Sequence, residues 1–271
     1  MKKLLFILCL LLAMTGCNSN NNTETVDDTF TVGMECAYAP FNYQISSPSD
    51  TSVEIDGGYC DGYDVMIAQR IADSLGKKLV VKKMAWGGLP VALQNGEIDA
   101  IIAGMTANAE REEGIDFTDP YYDSHGMIMI VRAGSEEAGF TSIQDFSGKN
   151  VIGQLNTNYD DVIDQIEGVN HVTPKATYPE MVVALQAGDV DGITAEMAVA
   201  IGVVEANKDL AVVEFAEGQG FDCDTTVSIG LAEGTRGSNF FNAVANALSS
   251  IDEDTRMQLM ATAVENQPTE E

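Results

Sequence analysis

The most chemically pointed residue is Arg111. It stands in Glu110-Arg111-Glu112-Glu113, in a chain with 42 acids against 14 bases, and follows the run Ala103-Gly104-Met105-Thr106. A guanidinium grips a carboxylate through two parallel N–H donors. Backbone N–H groups after Gly104 and the Thr106 hydroxyl could add further donors. Glu196, in Ala195-Glu196-Met197, could take an ammonium group. Glu35, Tyr38, Thr157 and the sole tryptophan, Trp86, supply another acid, a hydroxyl and two aromatic faces. Such a set complements both charges of a zwitterion. Each member also has a plain structural reading. Arg111 could neutralise a helix face, Trp86 beside Gly87-Gly88 could anchor a loop, and Tyr38 before Ala39-Pro40-Phe41 could pack a turn. Glu196 could sit at a helix start, where the dipole favours an acid.

The elements that must position these residues decide between the readings. Residues 29–34 alternate and are β-branched, so they form a strand, and 63–75 carry a helical stripe that Gly76 stops. A strand at 79–83, a short helix at 90–94 and a strand at 98–103 complete a βαβ order, which implies a largely parallel sheet covered by helices. The segment Ala92-Leu93-Gln94-Asn95-Gly96-Glu97-Ile98-Asp99-Ala100-Ile101 is echoed by Ala184-Leu185-Gln186-Ala187-Gly188-Asp189-Val190-Asp191-Gly192-Ile193. Each copy is a helix end, a glycine stop and a strand opening with an acid. The expected fold is α/β, with two similar lobes, two parallel-type sheets and two hinge strands joining them. Lobe 1 is expected at 29–121 plus 228–267, lobe 2 at 126–223, and the hinges near 121–125 and 222–228. Asp119-Pro120-Tyr121-Tyr122-Asp123-Ser124 reads as a separator before a strand at 126–131. Helices at 239–250 and 254–265 close the chain. Ligands of open parallel sheets collect beyond the carboxyl ends of the strands. The loops 35–41, 103–111, 154–159 and 195–197, with Trp86, fall there.

The ends and the composition narrow the class. Lys2 and Lys3 precede an apolar run at 4–13, which suits a signal peptide at 1–16 and is too short to span a bilayer. The run ends in Met14-Thr15-Gly16-Cys17, which resembles a bacterial lipobox. That resemblance implies acyl chains on Cys17 and a polar tether at 17–28. The formal charge of −28 repels nucleic acid and anionic lipid. Cys36, Cys60 and Cys223 remain outside the leader. Cys36 and Cys60 could pair within one lobe or be buried thiols. No Cys/His spacing supports a zinc site, and no cofactor, metal or catalytic residue is expected.

Several motifs together resemble one family. Gly62-Tyr63-Asp64-Val65-Met66-Ile67-Ala68 is similar to its Gly-aromatic-Asp-aliphatic-Asp-aliphatic signature, with Met66 in place of the second acid. Ala103-Gly104-Met105-Thr106, Glu110-Arg111 and Ile115-Asp116-Phe117-Thr118-Asp119-Pro120-Tyr121-Tyr122 match closely, and Ala37-Tyr38-Ala39-Pro40-Phe41 fits. The chain is thereby identified as a member of the bacterial extracellular solute-binding proteins of family 3, the amino-acid binders, over 29–265. The resemblance implies the two-lobed, type II periplasmic-binding-protein-like fold. It also implies a free amino acid as ligand, an ABC permease and ATPase as partners, a monomer, and a lipid-anchored place on the outer face of the cell membrane or in a periplasm. It puts Arg111, Thr106 and the Ala103-Gly104 region on the ligand carboxylate, with Thr157 and Asn158 adding groups from lobe 2. Glu196 takes the ammonium, Tyr38 and Trp86 sandwich the side chain, Glu35 reaches its end, and Gln154 is a position that varies with specificity.

Aromatic faces with a nearby acid suit a guanidinium or ammonium tail. A basic amino acid is therefore expected, arginine ahead of lysine, with glutamine or another polar amino acid as the alternative. A cyclohexadienyl-dehydratase-like enzyme and a sensory domain on the same scaffold are the readings from other classes.

Overall fold

The computed structural model describes residues 28–124 and 126–268. The leader, Cys17, the tether up to residue 27 and His125 lie outside the described residues. The first strand, β1 (Thr29–Met34), alternates at its start and is fully buried toward its end. Next come β2 (Ala37–Tyr38), β3 (Asn42–Ile45), β4 (Val53–Ile55) and β5 (Gly58–Asp61), a small antiparallel sheet in the order β2-β3-β5-β4. Strands of two to four residues are too short to display a period, and the sequence reading passed over them. The first helix, α1 (Tyr63–Leu75), buries Ile67, Ala68, Ile71 and Ala72, and Gly76 ends it in the left-handed conformation. Then follow β6 (Lys78–Lys83), α2 (Leu89–Gln94), β7 (Ala100–Ile101) and β8 (Ile115–Asp123).

The second half begins with β9 (Met127–Arg132), β10 (Asn150–Ile152) and the short α3 (Asn158–Asp161). It continues through β11 (Asn170–His171), α4 (Tyr178–Ala187), β12 (Gly192–Glu196), α5 (Met197–Ala206) and β13 (Leu210–Val213). The chain closes with β14 (Thr226–Ala232), α6 (Asn239–Ser249) and α7 (Glu253–Asn266). The large sheets run β6-β1-β7-β14-β8 and β11-β10-β12-β9-β13, which makes the fold two-lobed α/β as the sequence implies. Neither sheet is wholly parallel. β14 opposes both of its neighbours in the first, and β9 opposes both of its neighbours in the second. In each sheet the reversed strand is the one that enters from the crossing between lobes, and so it runs against strands that end there.

The stretch 119–124, read from the sequence as a hinge strand, is strand as far as Asp123, because β8 runs through Pro120. Proline lacks the N–H that a ladder needs, so it is tolerated at sheet edges and bulges. β8 is the edge strand, and the β14 register shifts on both sides of Ser228, the partner of Pro120. The two crossings lie side by side. Ser124 N donates to the Thr225 carbonyl at 3.5 Å, and Gly126 N to Thr225 Oγ1 at 3.1 Å.

The repeated acids have a structural role that the echo alone does not reveal. Asp99 and Asp191 each fasten the neighbouring parallel strand. Thr31 N donates to Asp99 Oδ2 at 2.7 Å, and Asp99 N donates to the Thr31 carbonyl at 2.7 Å. Likewise Asn150 N donates to Asp191 Oδ2 at 2.9 Å, and Asp191 N to the Asn150 carbonyl at 2.7 Å. Asp191 also pairs with Arg132 at 2.9 Å. Replacing it leaves the part-buried Asn150 N–H without its carboxylate acceptor and the Arg132 guanidinium, still bonded to the Leu185 and Val190 carbonyls, without its counter-ion. Asp191→Ala is expected to lower stability by about 1–3 kcal/mol, read in thermal denaturation as a fall of roughly 3–10 °C. An unchanged melting temperature would contradict the role.

Candidate functional site

The loops following β1, β6, β7 and β10 converge on one narrow cavity. Glu35, Tyr38, Trp86, Ala103, Gly104 and Arg111 line it from the first half of the chain, and Gln154, Thr157, Asn158 and Tyr159 from the second. A wider groove, open to solvent, continues from it and shares Glu35 and Trp86.

Asp64 organises the first half. It is fully buried at the start of α1 and accepts from Asn42 Nδ2 at 2.8 Å and Tyr121 Oη at 2.6 Å. Asn42 Oδ1 in turn accepts from Cys36 N at 2.7 Å, and Tyr121 Oη from Gly104 N at 3.1 Å. One carboxylate thus ties both cavity loops to the helix. Burial pushes its pKa up to about 7, partly offset by the hydrogen bonds from Tyr121 and Asn42. Two glycines make the approach possible. Gly62 has φ 121°, and a Cβ there would stand 2.5 Å from the Phe41 carbonyl oxygen. Gly104 has φ 62°, and a Cβ would stand 2.8 Å from the Tyr38 ring. Cys36 and Cys60 form a disulfide across a Cα–Cα distance of 5.7 Å, fastening the residue after Glu35 to β5. This resolves the pairing that the sequence left open. Cys223 is free.

Arg111 reaches across the cavity. Its guanidinium donates to the Thr106 carbonyl at 2.8 Å and to the Asn156 carbonyl at 3.2 Å, and lies 5.3 Å from the Trp86 ring centroid. Burial lowers its pKa, yet it remains a cation. Trp86 Nε1 donates to the same Asn156 carbonyl at 3.0 Å. Gln154 Nε2 donates to both Glu35 oxygens, at 3.1 and 3.3 Å, and to the Ala176 carbonyl at 2.9 Å. Glu35 is 7% exposed, and burial raises its pKa to about 7, with the Gln154 bond acting against the rise. Thr157 Oγ1 turns to its own loop, donating to the Gln154 carbonyl at 2.7 Å, and Asn158 Nδ2 reaches the Asp224 carbonyl at 2.9 Å.

Two residues singled out in the sequence do not line the cavity. Thr106 is buried beneath it and offers its carbonyl to Arg111. Glu196 lies behind the wall, with no exposure, as the N-cap of α5 but without capping it. Its carboxylate accepts from the Tyr38 and Ser124 hydroxyls and from Tyr159 Oη at 3.0 Å. Burial raises its pKa, and the three hydroxyl bonds oppose that. Tyr38 stacks on Phe41 at a centroid distance of 5.3 Å and meets the tilted Tyr178 ring at 5.2 Å. The sequence reading had Tyr159 within a cavity loop without singling it out, and it missed Ser124 and Tyr178. No motif marks them, because their role depends on where Glu196 is buried.

The family model for bacterial extracellular solute-binding proteins, family 3, matches residues 30–262. The arginine-binding extracellular protein ArtP of Bacillus subtilis is 31% identical over 159 residues, 57% of this chain and 56% of ArtP, so that match spans little more than half of the relative. The L-cystine-binding protein TcyJ of Escherichia coli is 29% identical over 234 residues, covering 86% of this chain and 81% of TcyJ. Among solved structures, an amino acid ABC transporter substrate-binding protein of Streptococcus pneumoniae bound to L-arginine has a TM-score of 0.75 at 26% identity. That likeness covers 88% of this chain and 94% of the other.

Removing the Glu196 carboxylate would strand three buried or half-buried hydroxyls. Glu196→Ala is expected to cost about 2–4 kcal/mol in urea unfolding, and Glu196→Gln, which keeps one acceptor, less. Equal stability of Glu196→Ala and the parent chain would show that the hydroxyl cage carries no energy.

Proposed function

Since the chain belongs to the bacterial extracellular solute-binding proteins of family 3, we propose that it binds one free basic amino acid between its lobes, arginine ahead of lysine, and delivers it to an ABC importer. The observation that carries the specificity is Glu35. It is a buried acid with no cation in hydrogen-bond contact among the described residues, lining the same narrow cavity as Arg111 and the aromatic faces of Tyr38 and Trp86. Arg111 commits two of its five N–H donors to carbonyls, leaving donors for a ligand carboxylate. The ligand ammonium would meet the Tyr38 and Tyr159 oxygens, behind which Glu196 supplies the negative charge. The cationic tail would pass Trp86 and Tyr38 to reach Glu35.

The same proposal takes lobe 1 as 29–121 plus 228–267 and lobe 2 as 126–223, closing about the paired crossings as a monomer. Cys17 would carry the lipid that holds the protein at the outer face of the membrane. No catalytic step is assigned to any residue. Glutamine is the second reading. Its support is that Glu35 already accepts a carboxamide, that of Gln154.

The raised pKa of Glu35 separates the two readings. A cation needs the carboxylate ionised, so affinity for L-arginine is expected to be full above pH about 7. It should fall as Glu35 becomes protonated below that, by at most roughly tenfold per pH unit. L-Glutamine binding should stay flat, and Glu35→Gln should flatten the L-arginine profile. Calorimetric titration from pH 5.5 to 8 decides. A level L-arginine profile, or tighter binding of L-glutamine than of L-arginine, would sink the basic reading.

A further inference from the structure

The chain links its two halves a third time, at the end of α7. That helix packs beside α1, and Tyr43 Oη donates to the Ala263 carbonyl at 3.2 Å. The next residue, Gln267, faces the other half. Its carboxamide lies against Gly202 in α5, so close that a Cβ on Gly202 would stand 2.4 Å from Oε1 and 3.1 Å from Nε2. Gln267 is 5% exposed, and neither amide atom has a hydrogen-bond partner among the described residues. The groove around it is mainly aliphatic, with Val199, Val203 and Ala206. Its other amides are engaged: Gln186 Nε2 donates to Asn207 Oδ1 at 3.0 Å, and Asn207 Nδ2 to the Val203 carbonyl at 2.9 Å.

A carboxamide shut away from water with no partner is unfavourable, and parting the lobes would return it to water. At the cleft the balance is opposite. Arg111 and Trp86 bond the Asn156 carbonyl, Gln154 bonds Glu35, and Tyr38 bonds Glu196, each across the interface. We infer that Gln267, seated on Gly202, is an affinity-setting contact outside the ligand cavity. It opposes closure, holds the ligand-free chain toward the open arrangement, and weakens every ligand by one common factor. The apparent dissociation constant is the intrinsic one divided by the fraction already competent. Affinity is thereby tuned without a change in specificity.

Three variants of the full chain test this. Gln267→Leu and Gln267→Ala remove the unpaired amide, and the isosteric Gln267→Glu places a charge in the aliphatic groove. Trp86, the sole tryptophan, reports closure because its indole N–H bonds the opposite lobe. With no amino acid present, emission of Gln267→Leu and Gln267→Ala should shift to shorter wavelength than the parent. With L-arginine as the probe, their apparent Kd should fall about 5- to 10-fold, the lower end of what one unpaired polar group supports. Gln267→Glu should bind at least threefold more weakly. The ratio of L-arginine to L-glutamine affinity should be unchanged in all three. Parent-like ligand-free emission in both Gln267→Leu and Gln267→Ala would overturn the inference, as would a Gln267→Glu chain that binds as tightly as the parent. The emission arm needs no ligand, so it still decides if L-arginine fails to bind and the basic-amino-acid reading falls. Circular dichroism confirms folding, and Gln267→Ala, which adds no bulk, guards against a packing fault in Gln267→Leu.

Discussion

A carboxylate taken out of water without a cation must be surrounded by hydrogen-bond donors, and two such groups organise this molecule. Asp64 and Glu196 are both fully buried, and both have raised pKa values because burial disfavours their charge. Each draws its donors from segments that otherwise have no reason to meet. Asp64 gathers Asn42 and Tyr121, and through them Cys36 and Gly104. Glu196 gathers Tyr38 from the first half, Tyr159 from the second and Ser124 from a crossing. The cavity is what lies between these two sets of donors. Its walls are well placed because misplacing any of them would leave a charge or a hydroxyl unpaired in a low-dielectric interior.

The sheets supply the frame on which this depends. In both, a parallel strand pair opens with an aspartate that exchanges bonds with a residue of its neighbour, Asp99 with Thr31 and Asp191 with Asn150. These acids set the relative heights of β1 against β7 and β10 against β12. The carboxyl ends, where Glu35, Ala103, Gln154 and Glu196 lie, are therefore staggered in the same way in each lobe. One motif used twice yields two facing half-sites. The reversed strands β14 and β9 then carry the chain back and forth beside each other.

The proposed recognition of a charged tail rests on the same logic of burial. Glu35 is poised near neutrality because it is withdrawn from water with only an amide for company, and a cationic partner would relieve that. Arg111 is anchored by carbonyls from both sides of the cavity and backed by an indole face. The protein's own polar groups bond across the cleft, while the amide of Gln267, at the end of α7, has no partner among the described residues. The balance between them is a property of the whole assembly rather than of any loop.

Much of this was legible in the sequence by itself. Helix α1 and its glycine stop, the βαβ order and the doubled lobe follow from local patterns, and nine of the eleven residues singled out, some of them only through the family resemblance, line the cavity. Periodicity, glycine stops and motif spacing act over a few residues and survive in any context. The tertiary structure alone decided the rest. It placed Pro120 within an edge strand, joined Cys36 to Cys60, and assembled a four-stranded sheet from strands too short to show a period. It set Glu196 behind Tyr38, 158 positions away in the chain, and laid Gln267 on Gly202. Such partners are chosen by sheet order and by how closely two lobes approach, and the carboxylate of Glu196 carries the same letter whether it faces a ligand or three hydroxyls.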